Sequence, residues 1–329
     1  MKITNPTMPA NTIPKRRRGL KIVLFLLILT TIGAAVWWFT QSENVPIIGQ
    51  EPEKLAPSIN GTMVSEDKAA LRPLAVVIEN SPDARPQSGL TDAELVYETV
   101  AEGGITRFLV VFQTREPKEI GPVRSARPYF NTIANSWSAA LVHAGGSKQA
   151  LSELASGVHK YLYDINEFYF GKYFWRDKTR YAPHNLYTSP VKIRELLADE
   201  EETAWQPISM WEFQNTPTDQ LIPEVTKLTI PFSSKTFEVS YEYDPTTNSY
   251  KRSLTGEPHL DKNNGLQVTP TNVIILLTDI SLNSDDDLGT MNIKLTSSGP
   301  CYLFSAGKFK ECRWSYENGK HVYTDTEGG

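Results

Sequence analysis

Two arginines, Arg124 and Arg127, stand three apart around Ser125 in the stretch EIGPVRSARPYF, residues 119–130. Paired guanidinium forks hold a phosphate or carboxylate through bidentate, charge-assisted hydrogen bonds. If Ser125 caps a helix, Ala126 opens it and Pro128 falls in the first turn, where its missing N–H costs nothing. Arg127 would then sit at the positive end of a helix dipole, a poor place for a cation unless an anion is near. The competing reading is structural: Arg124 or Arg127 pairs with Glu79, Glu98 or Glu102, acids on strands of the same domain.

Other polar groups fall at comparable places. Glu79 and Asn80 end an apolar run, and Arg85 lies in the turn-rich loop after it. Arg107 opens another run behind a Gly-Gly pair. His143 leads into Gly145, Gly146 and Ser147, a turn whose backbone N–H groups suit an anion, or which needs glycine only for its φ. Arg180, His184 and Asn185 share a loop. In an open α/β sheet, ligands collect outside the carboxyl ends of the strands, so these residues are candidate ligand-binding groups. Glu98, Glu102 and His184 are the candidate acid–base residues, His184 because imidazole exchanges protons near neutral pH. No nucleophile accompanies them, and whether the protein is an enzyme stays open. Five scattered histidines and two cysteines eleven apart give no metal-ligand spacing, and no cofactor motif is present.

To position these groups the chain needs strands and helices in alternation. The runs 74–78, 95–100, 105–112 and 139–143 read as strands; 126–137, 147–155 and 189–202 read as helices. Residues 71–205 are therefore expected to form an α/β domain with strands and helices interleaved. The stretch YLYDINEFYFGKYFW carries eight aromatics in fifteen residues and reads as a core lid, or as a surface that stacks on sugar rings. After a linker at 206–220, strand-like runs divided by turn residues predict a smaller, mostly-β domain over 221–329. Its last segment, HVYTDTEGG, reads as a strand and turn residues with no returning strand, the end of a fragment or simply the place where the chain stops. In CYLFSAGKFKEC a two-residue loop at Ala306-Gly307 sets Phe304 opposite Phe309 and Cys301 opposite Cys312, within disulfide reach; a bulged three-residue loop would slip the register by one.

The N-terminal region differs. A basic tail (1–21) containing Lys15–Arg18 precedes eighteen uncharged residues, 22–39, that end in Trp37-Trp38-Phe39. This pattern predicts a transmembrane signal anchor with the remainder outside the cell, joined through a polar linker at 40–70. The expected location is the plasma membrane, single-pass, with extracytoplasmic C-terminal domains. Removing the six basic residues of 1–39 from a net charge of −5 leaves −11 for the rest. Such a surface has no general attraction for nucleic acid, so any anion site must be local.

The stretches IENSPDARPQSGL, VYETVAEGGITRFLVVFQ, IGPVRSARPYF, HAGGS and RYAPHNLYT together resemble the YerB family of bacterial lipoproteins. The resemblance is dense over 71–205 and looser beyond, through GKFKECRW and the YTDTEGG end. It implies an extracytoplasmic protein with two domains of unknown function and no established reaction. The chain departs from the lipoprotein pattern in having no lipidation cysteine. The expectation is a membrane-anchored binding or scaffold protein of the cell envelope, with an anionic or glycan cell-wall ligand or an envelope protein partner. The alternative is an envelope enzyme acting on a phosphate- or sugar-containing substrate through Arg, Glu and His.

Overall fold

The N-terminal domain is built on one five-stranded sheet. The computed structural model describes residues 54–205, 211, 213, 223–284 and 289–326. Five strands, β1 (Leu74–Glu79), β2 (Leu95–Val100), β3 (Thr106–Phe112), β4 (Ala140–His143) and β5 (Tyr163–Asn166), lie in the order β2-β3-β1-β4-β5. β3 runs antiparallel to both its neighbours, while β1, β4 and β5 are parallel. β1, β2, β4 and β5 thus all point their carboxyl ends to one edge.

β1 and β3 are buried along their whole length, because apolar layers cover both sheet faces. Alternation sends Leu74, Val76 and Ile78 to one face with Phe108 and Val110; Ala75 and Val77 go to the other with Leu109 and Val111. Ile193, Leu196 and Leu197 of α3 (Pro190–Asp199) cover the first face. The second is covered by α1 (Pro128–Ser136), buried at every residue but Pro128, and by Ala150 of α2 (Lys148–Ser156).

The C-terminal domain consists mainly of two four-stranded antiparallel sheets. One contains β6 (Lys227–Pro231), β7 (Glu238–Asp244), β8 (Ser249–Leu254) and β9 (Glu257–Pro258). The other contains β10 (Asn272–Leu276), β11 (Ser298–Ser305), β12 (Lys308–Glu317) and β13 (Lys320–Asp325), in that spatial order. Leu228, Tyr243, Tyr250, Val273 and Phe304 form the core they share. In the β11–β12 hairpin Phe304 faces Phe309 and Cys301 faces Cys312, and the two cysteines are bonded, with Cα atoms 4.8 Å apart. Replacing both cysteines should cost roughly 2–3 kcal/mol, the loop-closure value for so short a ring. Differential scanning of the wild type and the double Cys→Ala variant measures it.

Trp211 meets Trp137 on one side and Tyr323 on the other, both edge-to-face, and so ties the two domains together. The described residues from Lys54 onward accordingly form one compact unit.

Three expectations need correction. Residues 22–39, read as a transmembrane signal anchor, lie outside the described residues, and no helix among the described residues is long and apolar enough to cross a membrane. The described residues therefore give no support to a transmembrane helix in the fold class; their fold is mixed α/β with two domains. The segment 54–70, read as linker, instead forms a hairpin of Leu55–Pro57 with Met63–Ser65 and a turn of helix, Glu66–Ala69. Its Ile59 is wholly buried, and Gln113 Oε1 accepts from the Ile59 N–H at 2.8 Å. Finally, α1 begins at Pro128 with Arg127, not Ser125, in the N-cap position. The backbone explains the shift: the Ala126 N–H is committed to Gly145 O at 2.9 Å in a sheet-like bridge, so helical dihedrals start only afterwards.

Candidate functional site

The carboxyl edge of the sheet gathers most of the candidate residues, and its organising group is a carboxylate. Glu79 ends β1 and is 3 % exposed. One of its oxygens faces Arg124 Nη2 at 3.2 Å and accepts from Ser81 Oγ at 2.9 Å. The other lies 2.9 Å from His184 Nδ1. Glu79 therefore holds a guanidinium and an imidazole side by side. With Nδ1 directed at the carboxylate, His184 presents Nε2, which has no partner among the described residues.

A second carboxylate serves the neighbouring cations. Glu102 follows β2 and meets Arg107 Nη2 with one oxygen. Its other oxygen accepts from Arg127 Nη2 at 2.7 Å and Nε at 3.1 Å. Burial alone would raise the Glu102 carboxyl, but the Arg107 and Arg127 guanidiniums outweigh it and hold it at about 2. Burial also pulls the Arg127 guanidinium below its ordinary value, and the like charge of Arg107 adds to this against Glu102. Three guanidiniums thus share two carboxylates. Nε of Arg107 and Nε of Arg124 are buried without a hydrogen-bond acceptor among the described residues. Arg124 remains a quarter exposed at its side chain. The arrangement carries a local excess of positive charge with unused donors.

The remaining candidates have other places. Ser125 donates to Ala144 O at 3.0 Å and accepts through its own carbonyl from Arg107. His143 is wholly buried, with Nδ1 2.6 Å from Gly145 O and Nε2 2.6 Å from Asp164 Oδ1. The Gly145 N–H donates to Asn166 Oδ1, the Ser147 N–H to Ala126 O, and Ser147 Oγ caps α2. Two N–H groups of the Gly145-Gly146-Ser147 turn are therefore spent internally, and the turn places backbone instead of cradling an anion. Arg180 donates to the carbonyls of Ala84 and Pro86, both at 2.8 Å. Asn185 donates to Arg180 O at 3.3 Å, closing the loop that carries His184.

Asn80, Arg85 and Glu98 belong to a different network that joins the domains. Glu98 accepts from Asn80 Nδ2, Thr106 Oγ1 and Arg252 Nη2, the last at 2.9 Å across the domain boundary. Arg252 Nε donates to His259 Nδ1, and the opposite ring nitrogen meets Gln87 Oε1. Burial, then the Arg252 and Arg85 charges, drive the His259 imidazole well below its usual range, so it stays a neutral acceptor. Arg85 donates to Asn80 O and Thr236 O and lies over the Phe237 ring. Glu98 is thus an internal partner and is not displayed to solvent. Ser81, Gln87, Arg252 and His259 were not singled out from the sequence. Only Ser81, adjacent to Glu79-Asn80, carried a local signal; Arg252 sits 154 residues from Glu98.

Among the described residues no His, Cys, Asp and Glu group could hold a metal ion. A cavity of about 250 Å³ opens beside this edge, between Pro128, Tyr129 and Gln149 and the strand residues Met291 and Ile293.

Residues 59–204 match the family described as "Protein of unknown function (DUF3048) N-terminal domain", and residues 228–329 match its C-terminal domain. The chain is 35 % identical over 284 residues, 86 % of its length, to "Putative lipoprotein YerB" of Bacillus subtilis (strain 168), 83 % of which is covered. The crystal structure of the YerB protein from Bacillus subtilis superposes with a TM-score of 0.73 at 34 % identity, covering 83 % of this chain and 91 % of that one.

Proposed function

The chain belongs to the YerB family, and from that premise we propose that it is an extracytoplasmic, membrane-associated binding module whose sheet edge holds an anionic group at Arg124. The relative's description as a lipoprotein supports the location. The observation that carries the ligand chemistry is the imbalance of Arg107, Arg124 and Arg127 against Glu79 and Glu102, with two buried guanidinium Nε atoms left over. The excess positive charge is not matched within the edge, and an oxyanion at the part-exposed Arg124 guanidinium would offset it through charge-assisted hydrogen bonds. Arg124 is the group to meet it, being the most exposed of the three.

The test uses inorganic pyrophosphate as probe, titrated calorimetrically. Arg124→Ala should weaken binding by roughly 10–100-fold, the range of a charge-assisted contact. Arg124→Lys should recover only part of it, because lysine has no planar fork. A folded Arg124→Ala protein with unchanged pyrophosphate affinity would refute the site.

A second reading is catalytic. Glu79 and His184 form a carboxylate–imidazole pair with a free outer nitrogen next to Arg124, the layout of an oriented general base. Hydrolysis of an activated phosphoester, lost in His184→Ala while pyrophosphate still binds, would favour the enzyme over the binding module.

A further inference from the structure

We propose that the anion held at Arg124 is the acidic group of a glycan, whose sugar rings lie on exposed aromatic side chains at the rim of the same edge. The inference rests on the anion-site reading and adds the class of ligand. Tyr181 is 90 % exposed, Tyr169 79 % and Phe168 72 %. Isolated exposed apolar residues need no explanation, but three large rings beside one charged cluster do.

The chain brings the segments that carry Phe168 and Tyr181 next to those that carry Arg124 and His184. Asn166 Oδ1 accepts both from the Gly145 N–H and from the N–H of Phe168, so one amide sets the turn and the short helix Glu167–Phe170 together. The Phe168 ring lies against Gly145, where a Cβ would come within 2.9 Å of it. Gly145 O in turn accepts from the Ala126 N–H, two residues from Arg124. On the other side, Tyr181 O accepts from the His184 N–H at 2.9 Å, and Arg180 pins that loop to Ala84 and Pro86. Phe168 is therefore tied through Gly145 to the segment that carries Arg124, and Tyr181 belongs to the loop that carries His184.

A flat ring offers a large apolar face at little entropic cost, which suits the C–H faces of a pyranose. Guanidinium beside it supplies the complement to a carboxylate or phosphate. A lipid surface fits less well. Surfaces that lie on bilayers combine rings with lysine and arginine; Lys172, Arg176, Lys178 and Arg180 do outnumber Glu167 and Asp177 along this segment, but residues 40–329 as a whole carry −11, which opposes approach to an anionic bilayer.

The experiment titrates the full chain with oligogalacturonate, phosphomannan, neutral maltohexaose, inorganic pyrophosphate and phosphatidylglycerol vesicles. At least one acidic glycan should bind and maltohexaose should not. Phe168→Ala and Tyr181→Ala should each weaken that glycan by about tenfold, the worth of one stacked ring, and leave pyrophosphate unchanged. Arg124→Ala should weaken both probes. Aromatic variants that keep full glycan affinity overturn the inference, as does failure of both acidic glycans to bind. Vesicle binding that depends on Phe168 and Tyr181 overturns it too, by assigning the rings to lipid. If pyrophosphate still binds in those cases, the anion site stands without the glycan; if it does not, both readings fall.

Discussion

Arg252→Ala is expected to lower the free energy of unfolding by roughly 3–5 kcal/mol, the cost of removing one partner of a buried ion pair. Side-chain exposure is 4 % for Arg252 and 9 % for Glu98, so water cannot replace the lost partner. The guanidinium also donates to His259 Nδ1, and its carbon lies 5.6 Å from the ring centres of both Phe108 and Tyr241. Alanine would strand the Glu98 charge, leave Nδ1 of His259 unfilled and open a void between two aromatic rings. The damage falls on the contact between domains, so unfolding should also become less cooperative. The double variant Glu98→Gln/Arg252→Met tests the cause. It removes both charges while keeping volume, and most of the loss should return. Urea unfolding followed by circular dichroism measures both. A loss below about 1 kcal/mol in the single variant would equate the pair with an exposed one and refute the argument.

That pair also marks where the sequence stops being readable. β1 and β3 were legible because strands buried on both faces must be continuous apolar runs, and LAVVI and FLVVF are such runs. β5 was not: Tyr163–Asn166 reads YDIN, with alternating polar residues inside an aromatic-rich stretch that imitates a packed lid. That stretch in fact divides, Tyr173 and Phe174 going into the core and Phe168 and Tyr169 to solvent. The arginine pair was visible as chemistry, but its geometry was not. Whether Arg127 caps a helix depends on Ala126 bonding to Gly145, a partner nineteen residues away with no trace in local spacing. Likewise the polar composition of 54–70 hid the burial of Ile59, which depends on Gln113. Local pattern reports faces and turns; it does not report which carboxylate a guanidinium will meet.

Glu102→Gln should destabilise the protein at neutral pH and make it more responsive to anions. Held at about 2 against an ordinary 4.5, the Glu102 carboxyl contributes at most about 3 kcal/mol. Because its folded value is depressed, that contribution is complete above the ordinary carboxylate range and fades as pH falls from about 4.5 toward 2. The difference between wild type and variant should therefore be largest near pH 7 and close as acid protonates the wild-type group. With Glu102 neutral, Arg107, Arg124 and Arg127 face only Glu79, and the local excess grows from one positive charge to two. A bound oxyanion then relieves more repulsion, and an anion that prefers the folded state stabilises it through mass action. Phosphate should raise the unfolding midpoint of Glu102→Gln more than that of wild type, with chloride at equal ionic strength as the control for screening. Adding Arg124→Ala to Glu102→Gln should abolish that extra gain. Equal phosphate responses in wild type and Glu102→Gln would mean that the excess charge draws no anion, and the arginines at this edge would then be structural alone.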